Sequence, residues 1–414
     1  MMEELNIIEN WCVFRLDEVF QIARGGSPRP IVDYITDSED GYNWIKIGDT
    51  KNIDKYIYRT KQKIKKDGLK KSLLVKENDF ILSNSMSFGK PYIMKTEGCI
   101  HDGWLLLRKL KEDISVDFMY YVLSSDVIKK QFISKAAGST VQNLNIKLVE
   151  SVKALIPPLL EQQKISEILS TVDEKLKSIE LQLIETQKLK KGLMQRILVQ
   201  GIGHTKFKDS VLGKIPHNWE VKKLSEISNV VRGGSPRPAG SPLLFNGSYL
   251  PWITVAELTN SSNKYITSTK TMLTKLGSTQ TRILEVNTVV LANSGATLGI
   301  PRILKIRGGA NDGVAAFLEL TRISNDYLYF YLQSLTKHFR DQLAPGSGQP
   351  NLNTSLIGGV NISIPPIEEQ IKITNVLNII DDKLSVLYNK QSNYNTLKQG
   401  LMQKLLTGKI RVKV

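Results

Sequence analysis

Apolar positions divide each half of this chain into two kinds of segment, one with short apolar runs and one with a long helical stripe. Between residues 11 and 155 the runs are broken by Gly, Pro, Asn and Ser, which predicts short strands joined by turns. Strand-like runs lie at 44–47, 79–82 and 104–107, and helical spacing at 117–132 predicts one helix. The first part of each half is therefore predicted to be a globular domain of mixed strands and helices.

The second part of each half begins at a double proline, at 157–158 and at 365–366, where a preceding helix is disfavoured. Apolar residues then alternate at spacings of four and three, the seam pattern of a coiled coil. No proline interrupts residues 161–199, so one helix of about 58 Å is predicted at a rise of about 1.5 Å per residue. The residues predicted to pair the two helices are Ile165, Leu169, Val172, Leu176 and Ile179 in the first half and Ile373, Leu377, Ile380, Leu384 and Leu387 in the second. An apolar stripe also suits a helix face on a globular core, so this alternative stays open.

The chain repeats itself at an offset of about half its 414 residues. The heptapeptide Arg-Gly-Gly-Ser-Pro-Arg-Pro occurs at 24–30 and 232–238, and Ile-Pro-Pro-x-x-Glu-Gln occurs at 156–162 and 364–370. An offset of 208 residues is far longer than a solenoid repeat, so we predict a tandem duplication. The predicted fold is α+β, with two globular mixed α/β domains alternating with two long helices that pair as an antiparallel coiled coil under pseudo-two-fold symmetry.

The duplication predicts a division into four segments. They are 1–155 for the first globular domain, 156–203 for the first long helix, 204–363 for the second globular domain, and 364–414 for the second long helix and C-terminal tail. Residues 410–414 are further predicted to form a strand that docks on the first globular domain.

The composition of the chain predicts a polyanionic partner. The net charge of +16, from 56 Lys and Arg against 40 Asp and Glu, favours nucleic acid because neutralised phosphates release counterions. A basic surface without such a partner is the alternative. Because no run of 18 apolar residues occurs and the acidic N-terminus lacks a signal-peptide pattern, we expect no membrane span and no secretion. Two cysteines cannot build a disulfide framework, which favours the cytoplasm. The four histidines lack metal-ligand spacing, so no metal site is predicted.

Catalytic motifs are not found in the sequence. It has no phosphate loop, no dinucleotide fingerprint and no Asn/Asp-Pro-Pro-aromatic run of amino-methyltransferases, since both Pro-Pro pairs follow Ile. Asp173-Glu174-Lys175 and Asp382-Lys383 resemble nuclease fragments, but they lie within the predicted helices, where charges are expected to solvate the outer face. The chain is therefore predicted to be non-catalytic.

Four short elements occur in both halves and are candidates for contact with nucleic acid. Arginine forks suit phosphate oxygens, and the paired glycines of the heptapeptide are expected to expose N–H groups, although a simple turn is the alternative. The Asp-Gly pairs at 102–103 and 312–313 are interpreted as turns. The other two elements are Asn-Ser before Gly-x-Pro and Gly-Ser before Asn-Leu-Asn. The predicted contact residues in these elements are Arg24, Gly25, Gly26, Ser27, Arg29, Asn84, Ser85, Ser139 and Asn143, with Arg232, Gly233, Gly234, Ser235, Arg237, Asn293, Ser294, Ser347 and Asn351.

Elements that are identical in both halves cannot distinguish two different DNA half-sites, so they should bind backbone or shape the fold. The halves differ most between 51–72, which is rich in lysine, and 259–280, which is rich in Thr and Ser. Base reading is predicted for these two segments, and ordinary surface variation is the alternative. The predicted DNA-contact residues here are Lys61, Lys63, Lys65, Lys66 and Lys270.

The ordered set of motifs resembles the specificity (S) subunit of type I restriction–modification enzymes. The resemblance is carried by the two Ile-Pro-Pro-x-x-Glu-Gln helix starts and by Leu-Lys-Lys/Gln-Gly-Leu-Met-Gln at 189–195 and 397–403. Gly-Lys-Ile-Pro-His-Asn-Trp-Glu at 213–220 opens the second domain, whereas Trp11 in the first domain lacks the Gly-x-Ile-Pro before it.

This resemblance implies that each globular domain is a target recognition domain that reads one half of a bipartite, asymmetric DNA sequence. It also implies that the helices fix the half-site spacing and dock two methyltransferase (M) subunits. S-adenosylmethionine is then expected to bind to those subunits and not to this chain. Restriction/translocase (R) subunits are expected to join through the complex. A coiled-coil scaffold, or a DNA-binding protein outside restriction–modification, is the alternative.

Overall fold

The fold comes from a computed structural model, which describes residues 9–51, 53, 55–84, 89–136, 143–260, 263–295, 297–343 and 351–414. The chain divides into two compact units. The first comprises Met1–Ser178 with Gln391–Val414, and the second comprises Ile179–Lys390. Each unit therefore contains one globular part and a portion of both long helices. The four-segment division made from the sequence remains a prediction.

The globular part of the first unit is built on short strands, as its broken apolar runs predict. The strands are β1 (Cys12–Arg15), β2 (Phe20–Arg24), β3 (Ile35–Thr36), β4 (Tyr42–Ile45), β5 (Tyr56–Ile57), β6 (Gln62–Ile64), β7 (Leu73–Val75), β8 (Phe80–Ser83), β9 (Pro91–Met94), β10 (Gly98–Ile100), β11 (Trp104–Lys109) and β12 (Lys153–Ile156). The helices are α1 (Leu16–Val19), α2 (Val116–Ser124), α3 (Asp126–Ala136), α4 (Ile146–Glu150) and the start of α5 (Leu159–Gln200), with 3-10 turns at Ile31–Asp33, Ile47–Thr50 and Lys66–Lys71.

Two sheets and a helical layer enclose the two main cores of the first unit. One sheet has the order β2-β11-β8-β9-β5 and the other β3-β6-β4-β10-β7. Side chains alternate between the faces of a strand, so Trp104 and Leu106 of β11 pack between the sheets. Leu105 and Leu107 pack on the opposite face, against the helices. The buried strand β11 thus joins both cores.

The second unit repeats this arrangement. Its strands are β13 (Phe207–Ser210), β14 (Gly213–Pro216), β15 (Glu220–Lys223), β16 (Asn229–Arg232), β17 (Leu250–Ile253), β18 (Tyr265–Ile266), β19 (Met272–Leu273), β20 (Arg282–Leu284), β21 (Val289–Ala292), β22 (Pro301–Leu304), β23 (Gly308–Ala310), β24 (Val314–Leu318) and β25 (Asn361–Ile364). Its helices are α6 (Leu224–Ile227), α7 (Pro242–Phe245), α8 (Val255–Thr259), α9 (Lys275–Ser278), α10 (Asn325–Ser334), α11 (Thr336–His338), a π turn at Phe339–Leu343, α12 (Thr354–Gly358) and the start of α13 (Ile367–Leu405). The sheet order β16-β24-β21-β22-β18 matches that of the first unit strand for strand, and β19-β17-β23-β20 forms the second sheet.

The long helices α5 and α13 pair in antiparallel orientation, as predicted. In the first unit the start of α5 shares a core with Leu405 at the end of α13, and in the second unit Ile373 near the start of α13 shares a core with Ile197 of α5. Of the predicted pairing residues, Leu176 is half-buried and the others are buried. Ile165 and Ile373 also pack on the globular cores. The coiled-coil seam and the core-facing stripe are therefore both present, at different turns of each helix.

Equivalent ion pairs join the two helices in both units. In the first unit Lys398 of α13 lies 2.6 Å from Asp173 of α5, and in the second unit Lys190 of α5 lies 2.6 Å from Asp381 of α13. The two lysines correspond under the 208-residue offset, and so do the two aspartates. Asp173 also accepts a hydrogen bond from the Tyr121 hydroxyl at 2.8 Å. The expectation that Asp173 merely solvates an outer helix face is therefore wrong.

The Glu-Gln pair at each helix start locks that helix onto its globular domain. The Glu161 carboxylate accepts a hydrogen bond from the Trp11 indole at 3.1 Å and also pairs with Arg411 from the C-terminal tail. In the second unit Glu369 accepts one from the Trp219 indole at 2.9 Å and contacts His204 at 2.7 Å.

The glutamine of each pair acts in the same way. The Gln162 side chain accepts from the Ser115 amide at 2.8 Å, and Gln370 accepts from the Ser324 amide at 2.8 Å. Those serines cap α2 and α10, so the glutamines fix the start of α5 against the start of α2 and the start of α13 against the start of α10.

Two local predictions need correction. The helix predicted over 117–132 is broken at Ser125, whose hydroxyl bonds to the Val122 carbonyl and ends α2. The tail at 410–414 forms no strand, although it does dock on the first unit, where Arg411 donates to the Glu9 carbonyl at 3.0 Å and Val412 packs on the core. Within the described residues, no helix is long and apolar enough to cross a membrane.

Candidate nucleic-acid interface

Three of the shared elements meet at one end of the sheet in the first unit. Arg24 ends β2, and its Nε donates to the Asp102 carbonyl at 3.0 Å. The Ser27 hydroxyl donates to the Asp102 carboxylate at 2.8 Å, and the Asn84 amide donates to the Asp102 carbonyl at 2.9 Å. Asp102, which the sequence indicated only as a turn residue, is thus the common partner of the other two elements.

The fourth element joins the same cluster. The Leu144 amide donates to the Asn84 carbonyl at 3.1 Å, which places the Asn143-Leu144-Asn145 segment beside it. Asn145 caps α4 by accepting from the Leu148 amide at 2.9 Å, whereas Asn143 is exposed. The two asparagines therefore differ in role, since one is structural and the other is open to a ligand.

The second unit builds the same cluster. Arg232 Nε donates to the Asp312 carbonyl, and the Ser235 hydroxyl donates to the Asp312 carboxylate. The Leu352 amide donates to the Asn293 carbonyl at 2.7 Å. One further contact is a strand-like bridge between Ser294 and Asn351. The Arg29–Pro30 and Arg237–Pro238 bonds of the two heptapeptides are both cis.

The two predicted asparagines at this end of the sheet are buried, and their surroundings differ. Asn84 is satisfied by the Asp102 carbonyl, whereas the Asn293 side-chain amide has no hydrogen-bond partner among the described residues. Neither reaches the surface, so direct contact with DNA through Asn84 or Asn293 remains a prediction that burial does not favour.

The pKa values of the aspartates in the Asp-Gly turns lie below the usual range. A hydrogen bond from Ser27 lowers the pKa of Asp102, and a hydrogen bond from Ser235 lowers the pKa of Asp312. Arginines next to them act in the same direction. Burial lowers the pKa of the neighbouring His101, whose ring Nδ1 accepts from the Gly103 amide at 2.7 Å. In the second unit the Asn311 side chain accepts from the Gly313 amide at 2.8 Å in its place.

The expectation that the paired glycines expose their N–H groups is wrong. The Gly25 and Gly26 amides donate to Trp104 and Ile100 carbonyls at 2.9 and 3.1 Å. The Gly233 and Gly234 amides donate to the corresponding carbonyls of Val314 and Ala310, both at 2.9 Å. The first glycine of each pair thus continues the ladder to β11 or β24, and the second bonds to β10 or β23 of the other sheet, so these N–H groups are not free for phosphate.

The first glycine of each heptapeptide is required by close packing. A Cβ on Gly25 would lie 2.1 Å from the His101 carbonyl oxygen, and a Cβ on Gly233 would lie 2.2 Å from the Asn311 carbonyl oxygen. Around Gly234, by contrast, no described atom lies within 4 Å of a built Cβ.

We therefore expect Gly233→Ala to lower the free energy of unfolding by about 1–3 kcal/mol, because backbone cannot yield cheaply to an added methyl. Gly234→Ala is the matched control and should be nearly neutral. Urea unfolding of both variants tests this difference, and equal stabilities would show that the turn adapts to a side chain.

The arginines keep donors available for a ligand. Arg24 and Arg232 each commit Nε to a carbonyl, which fixes the guanidinium on the turn while the side chain stays exposed. The Arg29 side chain is 83% exposed and lies 3.7 Å from the Asp102 carboxylate, and Arg237 is also exposed. Forked donors held at an exposed turn can engage phosphate oxygens.

Divergent residues 51–72 border this cluster in the first unit. Their described part contains β5, β6 and the 3-10 turn Lys66–Lys71. The Ser72 hydroxyl and the Gly26 amide donate to the same Ile100 carbonyl.

The six lysines between 61 and 71 fall into two groups. Lys63, Lys65 and Lys71 bond within the chain, to the Glu39 and Asp33 carbonyls and to the Tyr34 hydroxyl, at 2.9, 2.8 and 2.7 Å. Lys61, Lys66 and Lys70 are exposed and have no partner in the described part of the chain. The free lysines are the stronger candidates for contact with a polyanion.

The corresponding segment of the second unit, 259–280, is less basic, and its last residue and the two residues after it contact the heptapeptide. The Thr281 hydroxyl donates to the Gly234 carbonyl at 2.7 Å, and Gln280 accepts from the Arg237 amide at 3.2 Å. Arg282 Nε donates to the Arg232 carbonyl at 2.8 Å, a contact that the sequence did not predict. Lys270 is exposed.

The predicted residues Ser85, Ser139 and Ser347 lie outside the described residues. Residues that the sequence did not predict as part of the site are His101, Asn311, Asp102 and Asp312, and the one available signal was the recurrence of Asp-Gly in both halves. Among the described residues, no group of three or more His, Cys, Asp or Glu side chains could hold a metal ion.

Two domains with duplicated, arginine-bearing turns beside divergent segments are consistent with one family of DNA-recognition proteins. The family model described as "Type I restriction modification DNA specificity domain" matches residues 8–186 and 216–394. The chain belongs to this family and contains its domain twice, so its globular parts are DNA-recognition domains.

Individual relatives agree with this assignment. The MjaVIII type I restriction enzyme specificity subunit of Methanocaldococcus jannaschii is 25% identical over 437 residues, covering 100% of this chain and 96% of the relative. The putative MjaX specificity subunit of the same organism is 28% identical over 428 residues, covering 98% of this chain and 95% of the relative.

Solved structures show the same fold. The type I restriction–modification S subunit of M. genitalium superposes with a TM-score of 0.60 at 17% identity, over 97% of this chain and 98% of the other. A chain from a structural study of type I restriction–modification complex assembly gives a TM-score of 0.62 at 18% identity, over 97% of this chain and 99% of the other.

Proposed function

We propose that each unit reads one half of a bipartite, asymmetric DNA target within a type I restriction–modification complex. The observation that carries this proposal is the pair of clusters in which identical arginine-bearing turns stand next to segments that differ. The identical turns suit sequence-independent contact with phosphates, and the divergent segments suit contact with different base patterns.

We further propose that α5 and α13 fix the spacing of the two half-sites. The Asp173–Lys398 and Asp381–Lys190 pairs each cross from one helix to the other within a unit, which opposes sliding of the antiparallel pair. Half-sites one turn of DNA apart, about 34 Å, suit recognition elements that are held at a fixed separation.

The methyltransferase subunits are proposed to dock on the long helices. Exposed apolar side chains interrupt the polar faces of both helices in the second unit, and exposed apolar patches mark interaction surfaces. They are Leu181, Ile184 and Leu189 of α5 and Ile371, Val376, Ile379 and Val386 of α13. In this proposal two M subunits bind S-adenosylmethionine and methylate adenine, R subunits join for cleavage in the cytoplasm, and this chain contributes specificity without catalytic residues.

A salt titration of DNA binding tests the electrostatic part of this proposal. In the complex with its methyltransferase subunits, the affinity for target DNA should fall by about a thousandfold or more between 50 and 200 mM salt, as expected for about six or more phosphate contacts. A response that stays flat over this range would remove the case for DNA binding through the basic clusters.

A further inference from the structure

One lysine in each unit, buried in the second and largely buried in the first, places its ammonium group among aromatic rings. In the second unit the Lys264 side chain is 7% exposed, and its Nζ lies 2.8 Å from an Asp326 carboxylate oxygen and 2.8 Å from the Asn378 amide oxygen. The rings around this ammonium are Tyr265 at 5.3 Å, Tyr329 at 5.3 Å and Phe330 at 4.8 Å. A buried cation needs such partners, because unpaired it would cost several kcal/mol of desolvation.

The first unit has the equivalent lysine. The Lys55 side chain is 15% exposed, and its Nζ lies 2.7 Å from an Asp117 carboxylate oxygen. The surrounding rings are Tyr56 at 4.9 Å, Tyr120 at 4.9 Å and Tyr121 at 5.1 Å. Lys55 and Lys264 both belong to the divergent segments, yet neither can reach DNA, because their ammonium groups are committed inside the protein.

Both lysines hold their segments at the same point of the sheet. The Lys55 carbonyl accepts from the Ile93 amide at 2.8 Å, and the Lys264 carbonyl accepts from the Ile303 amide at 3.0 Å. The strands β5 and β18 that follow them pair in parallel with β9 and β22. Each lysine therefore marks the place where a divergent segment leaves the common fold.

The connection from this point to the long helices is made by different residues in the two units. In the first unit Tyr121 donates to Asp173 of α5 at 2.8 Å. Phe330 occupies the equivalent position in the second unit and has no hydroxyl. There Lys264 reaches α13 by its hydrogen bond to Asn378, whose amide also donates to the paired Asp326 at 3.4 Å. The first-copy equivalent of Asn378 is Ser170, which bonds within its own helix.

We propose that Lys55 and Lys264 are positioning residues that fix the orientation of each target-reading segment on the long helices of its own unit. The spacing tolerated between the two half-sites then depends on them, while the bases read at each half-site do not. This inference rests on the proposed function. Each unit connects its divergent segment to its long helix, but the two units use different side chains to do so. This supports a role for the connection itself, in addition to the stability of the packed core.

The test compares Lys264→Met with Lys305→Met in the complex with its methyltransferase subunits. Lys305 is the matched control, since its Nζ lies 4.8 Å from the same Tyr265 ring, but it is exposed, and among the described residues its side chain hydrogen-bonds only to Asn287, at 3.0 Å. Both changes remove one positive charge. Methylation rates are measured on duplexes with the native spacer and with spacers one base pair longer and shorter.

For Lys264→Met we expect the methylation rate on altered-spacer duplexes, divided by the rate on the native-spacer duplex, to rise about tenfold. A tenfold change corresponds to the loss of about 1.4 kcal/mol of discrimination between spacers. Lys305→Met should keep the wild-type ratio. Asn378→Ser, which introduces the residue of the first copy and leaves the lysine in place, should raise the ratio in the same direction. If Lys264→Met fails to fold, the Asn378→Ser result alone decides whether the link to α13 sets the tolerated spacing.

An unchanged ratio in both Lys264→Met and Asn378→Ser would overturn the inference, and so would a changed half-site sequence. Failure of the wild-type complex to methylate any bipartite sequence would instead overturn the proposed function, and this inference with it.

Discussion

Exchanging residues 55–72 for residues 264–281 is expected to change the half-site read by the first unit and to leave the other half-site intact. Both segments begin at the enclosed lysine and end at a hydroxyl that bonds to the sheet, Ser72 to the Ile100 carbonyl and Thr281 to the Ala310 carbonyl. The junctions therefore match in structure. The offset between these boundaries is 209 residues, one more than the offset of the heptapeptides.

The expected change is a switch of sequence because base edges in the major groove are read by side-chain donors and acceptors, which differ between the two segments. Methylated sites of the chimeric complex measure the result. The reciprocal exchange, which places residues 55–72 in the second unit, is the control and should alter the other half-site. Retention of both half-sites in both chimeras would show that the bases are read elsewhere.

Replacing three exposed lysines of the first unit that have no partner in the described part of the chain, Lys61, Lys66 and Lys70, with glutamine is expected to weaken binding to target DNA by about 100-fold at physiological salt. Each phosphate contact contributes about 0.9 to the slope of log affinity against log salt, so the slope should flatten by up to about 2.7. The methylated sequence should change little if these lysines contact phosphate.

The matched control replaces Lys63, Lys65 and Lys71, which carry the same total charge but bond within the protein. It should flatten the slope less and lower the melting temperature more, because the bonds to Glu39, Asp33 and Tyr34 are lost. Equal slopes for the two triple variants would show that the segment acts only through net charge.

The elements with a regular apolar period were predictable from the sequence. The helix predicted without a proline over 161–199 is observed as Leu159–Gln200, and its antiparallel partner was predicted from the duplication. The strands β4, β8 and β11 fall on the apolar runs that predicted them. Periodicity succeeds here because burial of one face fixes both the element and its orientation.

The site was only partly predictable, because its contacts join residues that are far apart in sequence. Asp102 was interpreted as a turn residue, and its bond to Ser27, across 75 residues, has no local signal. The N–H groups of Gly25 and Gly26 were expected to be free because a sequence does not show which strand will accept them. Their acceptors lie on β11, which pairs with β2, and on β10, which belongs to the other sheet, so only the folded arrangement of both sheets brings them close.

Comparing the two halves of the sequence also misses residues that play the same role but differ in type. Arg411 and His204 both engage the glutamate at a helix start, Glu161 or Glu369, although they do not align at the 208-residue offset. A comparison of identical residues recovers the shared turns and misses such substitutions. The structure recovers them because position, and not identity, defines the role.

A map of methylated adenines in cells that express this chain with its methyltransferase subunits tests the central claim most directly. The two-unit architecture predicts one asymmetric sequence made of two specific parts with a spacer of fixed length and unspecified bases. A single continuous motif, or methylation without any sequence preference, would contradict the assignment of one half-site to each unit.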